Sequence, residues 1–214
     1  MKTLVVGCDA SGKSTIARRI CERYGDTPVE SSRSAQAVEF KAKNERRYMS
    51  AAFIDEREAF YLQLEAQEQP RTTSLGGNVV TTNSTLVTRL SHAVMRACIG
   101  EPYLRDEEII PLWLDDERRL GTPLPDAVIL ARAEPDVIRG RMLARQKSGM
   151  QGEDFWGFNS PFFLERYQQR WEGMVASLGS IGVPCLELDT SFTQPDDAGL
   201  LVHYDALRQL PLQD

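Results

Sequence analysis

The chain has 214 residues, of which 42% are hydrophobic and 26% are charged, and this balance and length suit one soluble α/β domain spanning residues 1–214. Its 25 basic and 31 acidic residues give a formal net charge of −6, which excludes an overall attraction to nucleic acid or to an anionic membrane. The sequence begins without a signal-like segment, and no apolar run approaches the ~20 residues of a membrane span, so we expect a cytoplasmic protein. Four cysteines without a C-x-x-C pair predict free thiols.

A complete phosphate-binding pattern, G-x-x-x-x-G-K-S, occupies residues 7–14, which we call the phosphate loop. It follows an apolar run typical of a buried strand and leads into a segment with helical periodicity that ends at Gly25. Its two glycines allow the tight curl that aims backbone N–H groups at phosphate oxygens. The lysine is expected to reach the β- and γ-phosphates, and the serine hydroxyl to bind Mg²⁺. The predicted nucleotide-binding residues are Gly7, Asp9, Ala10, Ser11, Gly12, Lys13, Ser14 and Thr15.

Strands and helices alternate along the rest of the chain. Further strands are predicted near Val29 and at residues 78–82, 126–131 and 184–188. Helical patterns cover residues 35–69 with an interruption near Ser50, then 86–99, 105–120, a segment from Pro135, a segment from Pro161, and 199–209. This alternation predicts a three-layer α/β/α fold with a five-stranded parallel sheet.

Three of these helices carry apolar positions whose surroundings can be predicted. In the acidic helix 105–120 we expect Ile109, Leu112 and Trp113 to face the core and the charged residues to face solvent. The helix from Pro161 carries an aromatic stripe that predicts core packing. The stripe on helix 86–99 suits either the core or the interface of a homodimer.

The phosphate loop alone leaves the reaction open. The N-K-x-D segment with which switch GTPases read guanine is missing from the sequence. A remodelling ATPase would need a strand ending in an acidic pair, and usually a longer chain. Both classes are therefore disfavoured.

Four segments, in chain order, carry a further similarity. They are the phosphate loop with an acid at its third position, the F-x-x-x-R segment from Phe53 to Arg57, the strand 125–130 followed by Pro135, Arg141 and Arg145, and residues 188–191. Together they resemble the thymidylate kinase group of nucleoside and nucleotide kinases. The resemblance implies a P-loop fold of the nucleotide kinase type with a short lid at about residues 141–159. It also implies ATP and Mg²⁺ as cofactors, Asp9 at the metal or the acceptor sugar, and Asp189 and Thr190 beside the adenine.

Arg141 and Arg145 are the candidate lid arginines. They lie four residues apart, on one face of a helix that leads into a glycine-containing loop. Mobile arginines of this kind neutralise charge on the transferred phosphoryl group. The alternative is a solvated basic helix end that interacts with the helix dipole. Because the phosphate loop carries Ala10 instead of a basic residue, the resemblance assigns the catalytic arginine to the lid, and we choose Arg145.

A carboxylate is also needed to orient the acceptor hydroxyl or to hold the metal, and Asp9 and Glu30 are the candidates. Glu30 could act as the base if the acceptor is an alcohol, or it could be a surface acid. At the end of the third strand, where thymidylate kinases carry Asp-Arg, this chain has Thr81-Thr82-Asn83-Ser84 and lacks both charges. That departure leaves Arg33 or Arg57 to bind an acceptor phosphate, or leaves the acceptor without a phosphate, with Asn83 beside it.

The leading hypothesis is an ATP- and Mg²⁺-dependent kinase that acts on a nucleoside, a nucleotide similar to dTMP, or a related small hydroxylated acceptor. One alternative is a kinase of a specialised metabolite or of a modified base in DNA, although the acidic net charge disfavours DNA. Another is a catalytically weak nucleotide-binding module that signals through partners.

Overall fold

The computed structural model describes residues 1–29, 35–44, 50–73, 77–147, 161–191 and 204–209. Its centre is a five-stranded parallel sheet in the order β2-β3-β1-β4-β5. The strands are β1 (Lys2–Gly7), β2 (Thr27–Val29), β3 (Val79–Thr81), β4 (Ala127–Arg132) and β5 (Cys185–Asp189). Because all five are parallel, their carboxyl ends lie along one edge, and the phosphate loop leaves the sheet there. The predicted parallel sheet is confirmed.

Seven helices connect these strands in the part of the chain that is described. They are α1 (Lys13–Tyr24), α2 (Ala35–Asn44), α3 (Ala51–Thr73), α4 (Thr85–Cys98), α5 (Asp106–Leu120), α6 (Pro135–Lys147) and α7 (Pro161–Ser180). Residues 204–208 are also helical. The predicted lid therefore begins within the last turns of α6, and its remaining residues, 148–159, lie outside the described ranges.

Alternate side chains of β1 enter two separate cores, as the period of a strand requires. Leu4 and Val6 pack with α3, α4, α5 and α7 on one face of the sheet. Val5 packs with α1 and Tyr204 on the other face. The helices thus cover both faces, which confirms the three-layer architecture.

Helix α4 lies inside the helical layer. Its stripe of Leu86, Leu90 and Val94 is at most 2% exposed and belongs to the core cluster. Of the two expectations for this stripe, core packing is the one that the structure supports, and these side chains are not available to a dimer interface. The predicted aromatic stripe of α7 is also buried, with Phe163, Tyr167 and Trp171 at most 7% exposed.

Helix α5 corrects one sequence-based expectation. Ile109 and Trp113 are fully buried as predicted, but Leu112 is 37% exposed. The buried stripe is centred on Trp113 and continues through Asp116 and Glu117, which are 5% and 1% exposed. Leu112 lies roughly 100° from the centre of that stripe at 3.6 residues per turn. The error arose because the two acids were assumed to face solvent.

All four cysteines lie in described segments and are free thiols, as predicted. Among the described helices, none combines the length and the apolar character that crossing a membrane requires.

Candidate nucleotide-binding site

The phosphate loop curls tightly between β1 and α1. Its backbone passes through positive φ angles at Gly7 (136°), Ala10 (61°) and Gly12 (100°). A Cβ at Gly7 would collide with the carbonyl oxygen of Ala131 on β4, so glycine is required there. Gly12 is the N-cap of α1 and offers no side chain to the N–H groups of the first turn. These donors, together with the helix dipole, form a site that favours an anion.

Lys13 lies across this curl. Its Nζ donates hydrogen bonds to the carbonyl oxygens of Gly7 (2.9 Å) and Cys8 (2.6 Å) and lies 3.6 Å from Oδ1 of Asp9. The Lys13 side chain is 14% exposed, whereas that of Asp9 is 54% exposed. The structure therefore places a cation and an accessible carboxylate at the mouth of the loop.

The residues predicted to hold Mg²⁺ are Ser14 and Asp9, and both are exposed at the start of α1 or just before it. A hydroxyl and a carboxylate are hard oxygen donors of the kind that Mg²⁺ prefers. Among the described residues, no group of three or more His, Cys, Asp or Glu side chains could hold a metal ion. The two oxygen donors of Ser14 and Asp9 fit a Mg²⁺ ion that would take its other ligands from phosphate oxygens and water.

Arg141 contacts the phosphate loop from α6. Its Nη1 donates to the carbonyl oxygen of Ala10 (3.3 Å) and to Oγ1 of Thr190 (3.1 Å), and its Nη2 donates to the carbonyl oxygen of Thr190 (2.5 Å). Burial, reinforced by the nearby positive charge of Arg145, lowers the pKa of Arg141. Arg141 thus lies on the side of α6 that contacts the phosphate loop, Arg145 follows it by four residues and is half-buried, and Arg139 is exposed on the same helix.

Thr190 connects three segments just beyond β5. Its Oγ1 lies 2.7 Å from the carbonyl oxygen of Ser11, and its N–H donates to the carbonyl oxygen of Arg132 at the end of β4 (2.7 Å). The side chain is also in van der Waals range of a Cβ built on Gly12. The sequence placed Thr190 near the nucleotide only through family resemblance, and it gave no signal for these contacts.

The neighbouring Asp189 has a local role. Its Oδ1 accepts a hydrogen bond from the backbone N–H of Ser191 (2.8 Å), and hydrogen bonds from the backbone and side chain of Ser191 lower the pKa of Asp189. The Ser191 hydroxyl in turn accepts from the N–H of Glu134 (2.7 Å). These contacts fix the turn that carries Thr190.

Two of the predicted acceptor residues lie on different elements. Arg57 on α3 donates from Nη1 to Oγ of Ser91 (3.2 Å), and its guanidinium lies 4.8 Å from the ring centre of Tyr61. Asn83 follows β3 in a turn that is closed by the hydroxyl of Thr81. This Oγ1 lies 3.2 Å from the backbone nitrogen of Asn83 and 3.1 Å from its backbone carbonyl oxygen. The other two candidates, Glu30 and Arg33, lie outside the described residues.

A buried carboxylate that the sequence did not reveal supports this turn. Oε1 of Glu117 on α5 accepts hydrogen bonds from Nε1 of Trp113 (3.1 Å), Oγ1 of Thr85 (3.0 Å) and Oγ of Ser84 (3.4 Å). Its Oε2 lies 3.7 Å from Nζ of Lys2. Burial lowers the pKa of Lys2, and the negative charge of Glu117 partly opposes this shift. Ser84 is also the N-cap of α4, where its hydroxyl accepts from the N–H of Leu86. Glu117 therefore fixes the start of α4 directly after Asn83.

The Cys8 thiol within the phosphate loop is in an environment that makes it unreactive. Cys8 is 1% exposed, and burial raises the pKa of its thiol to about 12. A thiol that stays protonated at neutral pH is a poor nucleophile, so we assign Cys8 to packing beneath the loop.

Comparison with known proteins adds evidence on the fold. No protein-family model matches the chain, and no curated protein matches it in sequence. Two structures of deoxyadenosine kinase from M. mycoides resemble it at 14% identity. The one with bound dATP has a TM-score of 0.65 and covers 96% of this chain and 99% of its own. The one with the products dCMP and dCDP has a TM-score of 0.68 and covers 98% and 100%.

Thymidylate kinase from Candida albicans is similar with a TM-score of 0.65 and 12% identity, over 97% of this chain and 90% of its own. At these identities the likeness establishes the fold. The sheet order, the phosphate loop and these neighbours together show that the chain has the P-loop fold of the nucleoside and nucleotide kinases.

Proposed function

We propose that this protein is a kinase that uses ATP and Mg²⁺ to phosphorylate a nucleoside or a nucleotide. The observation that carries the proposal is the phosphate loop, placed at the carboxyl end of β1 with Lys13 across its mouth, in a fold shared with deoxyadenosine kinase and thymidylate kinase. Phosphoryl transfer depends mainly on positioning and on charge neutralisation, and this loop offers groups suited to both.

On the donor side, each group has a distinct role. The N–H groups of the loop and of the first turn of α1 bind phosphate oxygens, and Lys13 exchanges its carbonyl partners for the β- and γ-phosphates. Ser14 and Asp9 would hold Mg²⁺, which when bound would supply positive charge beside the transferred group. Arg145, which follows Arg141 by one helical turn, approaches the γ-phosphoryl from the lid.

On the acceptor side, Arg57 and Asn83 bind the acceptor, and Glu30 accepts the proton if the acceptor is an alcohol. Support comes from position: Asn83 follows β3 at the same edge of the sheet as the phosphate loop, and Arg57 lies on α3, which packs against α4. The uncharged Thr82-Asn83 pair keeps both nucleosides and nucleoside monophosphates as candidate acceptors.

The test is an assay of ADP formation from ATP and Mg²⁺ with a panel of nucleosides and nucleoside monophosphates. We expect acceptor-dependent ADP formation that the Lys13→Ala variant reduces by about 10²–10³-fold, as for loss of a major charge-stabilising group. Tight ATP binding without acceptor-dependent turnover would favour a nucleotide-binding module instead. Salt-sensitive binding of DNA would favour a modified base in DNA as the acceptor.

A further inference from the structure

The contacts of Arg141 differ from those expected of an arginine that acts on a transferred phosphoryl group. In the described structure its guanidinium donates to two backbone carbonyl oxygens, one in the phosphate loop and one just beyond β5. Lys13 also donates to carbonyl oxygens, but both lie in its own loop, whereas these contacts of Arg141 join the phosphate loop to the segment beyond β5. An arginine that keeps them shapes the loop instead.

Thr190 completes the same set of contacts. Its hydroxyl lies 3.1 Å from Nη1 of Arg141 and 2.7 Å from the carbonyl oxygen of Ser11. Since its backbone N–H is held by Arg132 on β4, Thr190 is fixed to the sheet. Arg141 and Thr190 thus bind consecutive carbonyl groups of the phosphate loop, those of Ala10 and Ser11.

Holding these carbonyls determines where the loop N–H groups point. In a planar trans peptide the C=O and the next N–H point in opposite directions. The bond from Thr190 to the Ser11 carbonyl therefore turns the N–H of Gly12 away from Thr190. The bond from Arg141 to the Ala10 carbonyl similarly orients the N–H of Ser11, which closes the loop on the carbonyl oxygen of Cys8 (3.2 Å).

The loop needs this support because Ala10 is strained. Its φ of 61° makes it the single residue other than glycine with positive φ in the described part of the chain. Such a conformation persists only where surrounding contacts hold it, and it recurs at functional sites. The carbonyl of this residue is the one that Arg141 binds.

We propose that Arg141 and Thr190 form a clamp that preorganises the phosphate loop for the diphosphate part of the nucleotide. Arg141 is then a positioning residue, and the catalytic role on the γ-phosphoryl is left to Arg145. The inference rests on the proposed function and deepens it, because it gives Arg141 a role of its own, whereas the sequence only grouped it with Arg145 as a lid arginine.

Titration calorimetry with ADP and with a non-hydrolysable ATP analogue tests the clamp without any acceptor. Arg141→Ala should weaken both ligands equally, by about tenfold, the loss typical of hydrogen bonds to a charged group. Arg141→Lys should weaken them nearly as much, because an ammonium group lacks the planar fork that reaches two carbonyls. Thr190→Val should show a similar loss, whereas Thr190→Ser keeps the hydroxyl and should bind ADP within about twofold of wild type.

Because the two residues hold one loop, the Arg141→Ala/Thr190→Val double variant should lose about as much affinity as the weaker-binding single variant. Arg139→Ala, on the exposed face of the same helix, is the matched control and should bind normally. Thermal unfolding of each variant identifies any that fails to fold. If the Ala or Val variant does not fold, the comparison of Thr190→Ser and Arg141→Lys with wild type tests the clamp.

Three results would overturn the clamp. The first is an Arg141→Ala variant that keeps its ADP affinity and loses only kcat. The second is an Arg141→Lys variant that binds ADP like wild type. The third is a double variant whose loss of ADP affinity is the product of the two single losses. In each case a wild type that binds ADP leaves the proposed kinase standing. A wild type that binds no nucleotide would overturn the proposed function and the clamp together.

Discussion

The donor half of the proposed site is formed mainly by backbone groups, whereas the acceptor half is formed mainly by side chains. The donor half, comprising residues 7–14, Arg141 and Thr190, is a backbone structure in which N–H groups face the ligand and side chains hold the carbonyls. The acceptor half, comprising Arg57 and the turn around Asn83, depends on side chains from α3, α4 and α5. Few sequences can adopt the backbone geometry of the phosphate loop, whereas many combinations of side chains can form an acceptor pocket.

The two halves also differ in the way their arginines are bound. Arg141 donates to backbone carbonyls, while Arg57 donates to a serine hydroxyl and lies over a tyrosine ring. The first arrangement stiffens the phosphate loop. The second leaves an arginine held by weaker and more replaceable partners, which suits a residue that must adapt to its acceptor.

The largest effect is expected at Glu117, beneath the acceptor half. Glu117→Ala leaves Lys2 and three hydroxyl or indole donors without their buried acceptor, so we expect a loss of about 3–5 kcal/mol in the free energy of unfolding. Chemical denaturation measures it. The matched control is Asp115→Ala on the exposed face of α5, which should change stability by less than about 0.5 kcal/mol. Equal losses in the two variants would show that the buried carboxylate does not support α4.

The next effect is expected at Gly7, in the donor half. Gly7→Ala places a methyl group against the carbonyl oxygen of Ala131 at a φ of 136°, so we expect a loss of about 3 kcal/mol and of ADP binding. Gly25→Ala is the control. It also has positive φ, but a Cβ there meets nothing within 4 Å, so it should cost about 1 kcal/mol and leave ADP binding intact. ADP binding by a stable Gly7→Ala variant would contradict the close approach of β1 and β4.

A smaller effect separates the two halves directly. Arg57→Ala should raise the KM for a nucleoside monophosphate by about tenfold, through loss of a charged hydrogen bond, and leave ADP affinity unchanged. For an acceptor without a phosphate, KM should change less. Ser91→Ala removes only the hydroxyl that accepts from Arg57, leaves the guanidinium and its contact with Tyr61 in place, and serves as the control. A fall in ADP affinity in Arg57→Ala would place this arginine in the donor half instead.

The smallest effect is expected at Asp55, beside Arg57 on α3. A hydrogen bond from Arg96 and, to a smaller extent, one from His92 lower the pKa of the Asp55 carboxyl below its usual 3.8. Its stabilising contribution is therefore present above pH 3.8 and is lost as pH falls through the lowered pKa. Because Asp55 is 53% exposed, we expect under about 1 kcal/mol. The difference in Tm between wild type and Asp55→Asn should vanish at low pH, and a difference that grows on acidification would contradict the assignment.

The difference between the halves also explains how far the sequence could be read. The fold and the phosphate loop were predicted because Gly7, Gly12 and Lys13 impose backbone geometry and charge at fixed spacing. The roles of Thr190 and Glu117 were missed because each depends on contacts between segments that lie far apart in the chain. Leu112 was misplaced for the same reason, since burial of Glu117 moved the core face of α5.

Transfer of the γ-phosphoryl group itself is the most direct test of a kinase. Incubation with γ-labelled ATP, Mg²⁺ and the acceptor panel should move label from ATP into a phosphorylated nucleoside or nucleotide, and the Lys13→Ala variant should leave the label in ATP. Label that stays in ATP with the wild-type protein, or that appears only as inorganic phosphate with every acceptor, would contradict phosphoryl transfer to a nucleoside or nucleotide.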